Sequence, residues 1–163
     1  MAHAANLYFQ GLSFVNSYGV EKNDGPQALA LNTENDRIVF NKVGMYSYQD
    51  TWITTSKSNY RHYVKDSFIE GAVDFIYNSG NVYFDNDTLN IVRKSGGYIV
   101  APSHQKDVEW GYVFMNNVIT APGVPSETDV WFGRPWHNFP KTEFFNTKAE
   151  VTIPSKGWFD TMG

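Results

Sequence analysis

Tyr83-Phe84-Asp85-Asn86 is one copy of a short pattern that decides the fold of this chain: an aromatic or β-branched pair followed by Asn, Asp or Lys. A loose repeat of roughly 20 to 30 residues is typical of a solenoid, in which each repeat forms one coil. Helical periodicity is weak, and the strand-like segments are short and separated by Gly, Asn, Asp and Ser. The other copies are Ser13-Phe14-Val15-Asn16, Val39-Phe40-Asn41-Lys42, Tyr63-Val64-Lys65-Asp66, Val113-Phe114-Met115-Asn116-Asn117 and Phe144-Phe145-Asn146.

The repeat predicts an all-β chain folded as a right-handed, single-stranded parallel β-helix. Each coil would carry about three short strands, with Asn at a corner because Asn tolerates left-handed backbone geometry. The alternative is an antiparallel sandwich of aromatic-rich strands. The absence of Asn-Gly hairpin turns argues against that sandwich.

Composition limits the possible functions. The chain has 163 residues, a net charge of −4 and no cysteine, which excludes disulfides and thiolate chemistry. Mild acidity argues against nucleic acid as a partner, and no apolar run is long enough for a membrane span. Aromatic residues make up 17% of the chain, which suits either a β-sheet core or a carbohydrate cleft.

The first residues of the chain do not look native to the protein. Asn6-Leu7-Tyr8-Phe9-Gln10-Gly11 is similar to a protease site left by an expression vector. The sequence therefore predicts that residues 1–11 are a tag remnant and that residues 12–163 form one domain.

Two aspartates interrupt otherwise apolar or aromatic strands: Asp50 in Tyr48-Gln49-Asp50-Thr51-Trp52-Ile53 and Asp74 in Ala72-Val73-Asp74-Phe75-Ile76-Tyr77. A carboxylate in such a run is costly to bury unless it is paired or used. The two lie 24 positions apart, about one coil, so they are expected on adjacent strands about 4.8 Å apart. At that distance the pKa of one carboxyl should rise, which leaves one protonated acid beside one carboxylate. That division suits a general acid beside a nucleophile.

Other polar residues complete the predicted site. Arg134, in Gly133-Arg134-Pro135-Trp136, can hold a carboxylate with two hydrogen bonds and keep it ionised. Gln49 and Gln27 offer amide donors that would form an oxyanion hole if they face one carbonyl. His62, His104 and His137 lack metal-ligand spacing, so neither a metal nor a cofactor is predicted.

Four segments in order resemble the successive motifs of pectin methylesterases, carbohydrate esterases that fold as right-handed parallel β-helices. They are Gln27-Ala28-Leu29-Ala30-Leu31, Tyr48-Gln49-Asp50-Thr51, Gly71-Ala72-Val73-Asp74-Phe75-Ile76 and Phe132-Gly133-Arg134-Pro135-Trp136. The resemblance covers nearly all of residues 12–163. One departure is Tyr77-Asn78, which stands where the family usually has Phe-Gly.

The resemblance implies a role for each matching residue. Asp74 matches the nucleophile that attacks the methyl ester of a galacturonate, and Asp50 matches the acid that protonates the departing methanol. Gln27 and Gln49 match the oxyanion donors, and Arg134 matches the residue that hydrogen-bonds the nucleophile. Trp136 matches a residue lining the sugar subsite, and Trp131 and Phe75 are further cleft candidates. For Phe75, core packing is the alternative, because it alternates away from Asp74 along a strand.

The resemblance also implies the setting. The substrate would be pectin, or homogalacturonan, and the enzyme would be secreted, extracellular or periplasmic. Family domains are longer, so the chain is expected to be truncated on its N-terminal side and to expose coil edges that allow self-association. The alternative function is a non-catalytic β-helix that binds polysaccharide, and a glycosidase or lyase acting on the same polymer is a third possibility.

Overall fold

The computed structural model describes residues 1–22 and 25–160 and arranges its strands, numbered in chain order, in three parallel sheets. The first sheet contains β1 (Leu7–Gln10), β4 (Ile38–Asn41), β7 (Arg61–Lys65), β10 (Asn81–Asp85), β13 (Tyr112–Met115) and β16 (Thr142–Phe145). The second contains β2 (Ser13–Val15), β5 (Gly44–Tyr46), β8 (Phe68–Gly71), β11 (Thr88–Ile91), β14 (Val118–Thr120) and β17 (Lys148–Ala149). The third contains β3 (Leu31–Asn32), β6 (Trp52–Ile53), β9 (Val73–Asn78), β12 (Gly97–Pro102) and β15 (Val130–Gly133).

The chain visits the three sheets in turn, so each strand pairs with the strand three places away in the chain. In the first sheet Ile38 lies opposite His62, His62 opposite Val82, and Val82 opposite Tyr112. The offset between paired residues therefore ranges from 20 to 31 along this sheet. This is a parallel β-helix, as the sequence predicted, and the antiparallel sandwich is excluded.

A row of left-handed residues forms the corner between the first and second sheets. The residues that follow the first-sheet strands have positive φ angles between 48° and 64°, and they are Gly11, Lys42, Asp66, Asn86, Asn116 and Asn146. Asn, Asp and Gly tolerate this conformation better than other residues. Five of the six predicted copies of the repeat therefore end at this corner, whereas Ser13-Phe14-Val15-Asn16 lies in the second sheet.

Aromatic rings stack along the inside of the first sheet. The centroids of Phe84 and Phe114 are 4.1 Å apart, and those of Phe114 and Phe144 are 4.2 Å apart, with nearly parallel planes. Trp52 from the third sheet packs edge-on against Phe40 and Phe84. Burying one Phe side chain is worth about 1.5–3 kcal/mol, so this stack is a main source of stability. This core accounts for part of the sequence's surplus of aromatic residues, and others, including Trp110, Trp136 and Phe139, are exposed.

The first coil includes residues from the predicted tag remnant. Strand β1 pairs with β4 in register, and the Phe9 ring stacks on Phe40 at 5.4 Å. Leu7 also packs against the core. The tag origin of residues 1–11 stays a prediction, but in the structure residues 7–10 form a strand of the solenoid.

Helical structure makes a small contribution. Helix α1 spans Tyr18–Lys22 and follows β2. Across residues 1–22 and 25–160, no helix has the length and apolar character needed to cross a bilayer.

Candidate active site

Asp50 and Asp74 occupy equivalent positions on neighbouring coils of the third sheet. Strands β6 and β9 pair with Trp52 opposite Ile76, and Gln49 forms a bridge with Val73, so the two aspartates lie side by side. The Asp50 backbone N–H donates to the Val73 carbonyl at 3.0 Å. The prediction that the two aspartates lie on adjacent coils is confirmed.

Both aspartates depart from strand geometry. Their φ angles are +60° for Asp50 and +51° for Asp74, which is left-handed backbone inside or beside a strand. This breaks the in–out alternation after Asp74, so Phe75 and Ile76 both pack into the core. The consequence is that Asp74 leaves the core side of the sheet while the two residues after it anchor the strand.

Arg134 binds Asp74 through two parallel hydrogen bonds. Its Nε donates to Oδ1 at 2.9 Å, and one of its terminal nitrogens donates to Oδ2 at 2.7 Å. Arg134 follows β15, and its backbone N–H donates to the Val100 carbonyl of β12 at 3.0 Å. A guanidinium in this bidentate arrangement binds a carboxylate about as strongly as any side chain can.

The pKa values of the two carboxyls are shifted by different surroundings. Burial raises the pKa of Asp74, and the hydrogen bonds and charge of Arg134 oppose that rise. Burial, then the charge of Asp74, raises the pKa of Asp50 to about 7, against a hydrogen bond from Gln27 and the charge of Arg134. Arg134 donates both hydrogen bonds to Asp74 alone, so these bonds oppose the rise in pKa at Asp74 and not at Asp50.

The predicted polar residues meet in one surface pocket. Its lining includes both glutamines predicted as oxyanion donors, together with Trp136 and Arg134. The full set is Gln27, Gln49, Asp50, Asp74, Tyr77, Ala101, Arg134 and Trp136. Among the described residues, no group of three or more His, Asp or Glu side chains gathers where it could hold a metal ion.

Tyr77 is a pocket residue that the sequence analysis did not assign to the site. Its ring meets Trp136 edge-on at 5.8 Å, and Ala101 lies beside it in β12. In a regular strand a residue three positions after Asp74 would lie on the opposite face. The sequence could therefore indicate Tyr77 as a pocket residue only if the left-handed backbone at Asp74 were known.

Two of the predicted cleft residues lie elsewhere. Phe75 is fully buried in the core, so the prediction that it contacts a ligand is wrong, and the core alternative is correct. Trp131 is partly exposed on β15 and packs edge-on against Phe159 at 5.3 Å, outside the pocket lining. Its role in a more extended cleft stays a prediction.

The fold and the site together define a parallel β-helix protein with two neighbouring aspartates in a surface pocket, one of which is bound by an arginine. The family model described as Pectinesterase matches residues 1–163. The chain therefore belongs to the pectinesterase family.

Relatives support this assignment. A protein of Aspergillus flavus described as probable pectinesterase A is 33% identical over 149 residues, which is 90% of this chain and 43% of the relative. The structure of a pectin methylesterase from carrot matches 99% of this chain and 51% of its own, with a TM-score of 0.84 and 25% identity. A pectin methylesterase in complex with a hexasaccharide matches 97% of this chain and 54% of its own, with a TM-score of 0.78 and 26% identity. The chain thus spans about half the length of these relatives.

Proposed function

We propose that this chain hydrolyses the methyl esters of galacturonate units in pectin and releases methanol. The observation that carries the proposal is the geometry of Asp50, Asp74 and Arg134: two neighbouring carboxyls, of which only one is bound by a guanidinium. An ester hydrolysis that proceeds through a covalent intermediate needs this division into a nucleophile and a proton carrier.

In the first half-reaction, the Asp74 carboxylate attacks the ester carbonyl and forms a tetrahedral intermediate. The side-chain amides of Gln27 and Gln49, which line the same pocket, donate hydrogen bonds to the oxyanion. Asp50 gives its proton to the methoxy oxygen, methanol leaves, and an anhydride links Asp74 to the galacturonate carbonyl.

In the second half-reaction, Asp50 acts as a carboxylate and removes a proton from a water molecule that attacks the anhydride. The bond to Asp74 breaks, and galacturonic acid departs and gives its remaining proton to solvent to become galacturonate. Asp50 has then regained the proton that it gave to methanol, so the cycle closes without a metal or cofactor. An Asp50 pKa of about 7 suits both duties, because a group that titrates near the working pH both gives and accepts a proton readily.

The surroundings of the pocket suit a sugar polymer. Trp136 and Tyr77 present aromatic surface beside the carboxylates, and such rings pack against the C–H faces of sugars. A polysaccharide such as pectin is found outside the cell, which supports a secreted, extracellular or periplasmic location.

Methanol release from methylated pectin is the deciding experiment. The wild-type chain should release methanol, and Asp74→Asn should release none while still binding pectin. Asp107→Asn is the matched control, because this exposed loop carboxylate accepts a hydrogen bond from Ser58 and lies outside the pocket lining. Full turnover by Asp74→Asn would refute its assignment as the nucleophile.

Other outcomes would favour the alternatives. Folded wild-type protein that binds pectin without releasing methanol would indicate a polysaccharide-binding β-helix. New reducing ends or unsaturated products would indicate a glycosidase or a lyase. The oligomeric state should be measured on the same sample, because end strands β1 and β16 each pair with one neighbour among the described strands and self-association through such edges stays a prediction.

A further inference from the structure

The Arg134 guanidinium makes a second contact that the proposed reaction does not use. Its central carbon lies 4.5 Å from the centre of the Tyr98 ring, so the guanidinium covers the face of that ring. One edge of the guanidinium, formed by Nε and a terminal nitrogen, meanwhile donates to the two oxygens of Asp74. Arg134 is therefore held on an edge by a carboxylate and on a face by an aromatic ring.

The fold fixes the Tyr98 ring from several directions. Tyr98 lies on β12, opposite Val73 of β9 on one side and Trp131 of β15 on the other. It packs against the small apolar cluster that contains Val73. The ring of Phe159 meets it edge-on at 5.3 Å.

These contacts connect the ring to both partners of the ion pair. Val73, against which Tyr98 packs, directly precedes Asp74 in the chain. Phe159 is attached to the Arg134 side, because its backbone N–H donates to the carbonyl of Gly133 at 3.0 Å. The ring therefore sits between the segment that carries the carboxylate and the segment that carries the guanidinium.

A flat ring beneath a guanidinium restricts it in a way that a hydrogen bond does not. Stacking fixes the plane of the guanidinium, whereas hydrogen bonds act along its edges. A bidentate pair needs the guanidinium and the carboxylate to be nearly coplanar. The Arg134 side chain is 21% exposed, so without the ring it would have room to rotate toward solvent.

We propose that Tyr98 is a positioning residue that acts through Arg134: its ring face holds the guanidinium in the plane that gives Asp74 both hydrogen bonds. Tyr98 is not among the residues that line the pocket, so its effect on the Asp74 carboxylate is expected to pass through Arg134. The ring carries this role, and the hydroxyl does not. The expected effect on turnover rests on the proposed esterase function, whereas the effect on the Asp74 carboxyl does not.

The test compares Tyr98→Leu, which removes the ring face, with Tyr98→Phe, which keeps it. Tyr98→Leu should lower kcat about three- to tenfold with KM little changed. The free energy of a cation–π contact of this kind corresponds to a change in rate of about that factor. It should also move the acid limb of the pH–rate profile to higher pH by about half a unit to one unit. The reason is that weaker hydrogen bonds from Arg134 stabilise the Asp74 carboxylate less, so the pKa of Asp74 rises. Tyr98→Phe should match the wild type in both measurements.

Carbon-13 NMR titration of the Asp74 carboxyl supplies a readout that needs no turnover. The charged groups around Asp74 are Asp50 before β6, Arg134 after β15 and Arg93 after β11, and none of them is altered by the substitutions. The pKa of Asp74 should therefore rise in Tyr98→Leu and stay at the wild-type value in Tyr98→Phe. If wild-type protein releases no methanol, the esterase proposal fails, but this titration still decides the role of Tyr98.

Tyr83→Leu is the control for loss of a tyrosine ring from a strand. Tyr83 stacks on Tyr63 in the first sheet and lies outside the pocket lining, so its loss should leave kcat and the Asp74 pKa unchanged. Phe159→Leu, which removes one support of the Tyr98 ring, should shift the Asp74 pKa in the same direction by less, and it replaces Tyr98→Leu if that variant does not fold. Wild-type behaviour of Tyr98→Leu, or an equal loss in Tyr98→Phe, would overturn the proposal.

Discussion

Replacing Asp87 by Asn should stabilise the protein at neutral pH. Asp87 is 1% exposed and follows the left-handed corner residue Asn86. Its Oδ1 accepts a hydrogen bond from the Ser67 backbone N–H at 2.7 Å, but its Oδ2 is buried and has no hydrogen-bond partner. One coil later, Asn117 occupies the equivalent position and uses both ends of its amide: Oδ1 accepts from the Asp87 N–H, and Nδ2 donates to the Phe84 carbonyl.

The expected gain follows from the pKa of the carboxyl. Burial raises the pKa of Asp87 from 3.8 to about 8, so the folded protein holds a proton at pH 7 that the unfolded chain releases. Stability from this group is therefore complete below the unfolded pKa of 3.8 and is lost progressively as the pH rises toward 8. At about 1.4 kcal/mol per pH unit, the loss at pH 7 is about 4 kcal/mol. Asn does not titrate, so the variant avoids this loss.

Urea unfolding followed by tryptophan fluorescence, at about pH 4 and at pH 7, measures the effect. Asp87→Asn should exceed the wild type by up to about 4 kcal/mol at pH 7 and by little at pH 4. Asp107→Asn, which removes an exposed carboxylate, should show no comparable gain. An equal gain at both pH values, or a loss at pH 7, would show that Asp87 is ionised in the folded state and refute the reasoning.

Three further substitutions test the site and the coil packing. Arg134→Lys keeps the charge but not the two parallel hydrogen bonds to Asp74. The rate of methanol release should therefore fall at least about tenfold, and the acid limb of its pH–rate profile should move to higher pH. An unchanged rate would show that the bidentate contact does not contribute to the reaction. Tyr77→Phe removes one hydroxyl from the pocket lining. We expect KM to rise about two- to tenfold with kcat unchanged, because a lost hydrogen bond to the substrate weakens binding, and an unaltered KM would mean that only the ring matters. Gly97→Ala would place a Cβ 1.9 Å from the Ala72 carbonyl oxygen and should lower the melting temperature by several degrees, while Gly123→Ala, with nothing within 4 Å, serves as its control.

The repeat predicted the fold because each coil needs the same residue types at the same corner. Where a strand of the first sheet ends, the chain turns through left-handed backbone, and Asn, Asp and Gly supply it most readily. Lys42 occupies the same corner, so the repeat could be found only by allowing Lys beside Asn and Asp. One residue of each aromatic or β-branched pair before the corner faces the core, as Phe84 and Phe114 do in the stack of rings.

The phase of the first coil could not be obtained from the pattern. Tyr8-Phe9-Gln10-Gly11 has the features of the repeat in the structure, because Phe9 faces the core and Gly11 is the left-handed corner residue. Its sequence, however, is also that of a protease site. Ser13-Phe14-Val15-Asn16 has the right letters and lies in the second sheet. Residue type alone does not separate these segments, because a parallel strand in either sheet has the same alternation.

Only some residues of the candidate site could be predicted from the sequence. The placement of Asp50 and Asp74 on adjacent coils was predictable because a charged side chain in an apolar strand is conspicuous, whereas Arg134 stood out only through the segment Gly133-Arg134-Pro135-Trp136. Tyr98 was not predictable, because an aromatic residue on a strand has the same local sequence whether it faces the core, solvent or a guanidinium. The role proposed for Tyr98 depends on the register of β9, β12 and β15, which no single segment contains.

The left-handed backbone at the two aspartates connects the site to the stability of the fold. At Asp74 this conformation turns the carboxylate outward while Phe75 and Ile76 both enter the core. Asn tolerates positive φ nearly as well as Asp, whereas Ala and most other residues lose about 1–2 kcal/mol there. Asp→Asn is therefore the substitution that isolates chemistry at Asp50 and Asp74. An Asp→Ala variant would also strain the strand that anchors the pocket, and a loss of activity in it would not distinguish the missing carboxylate from the distorted strand.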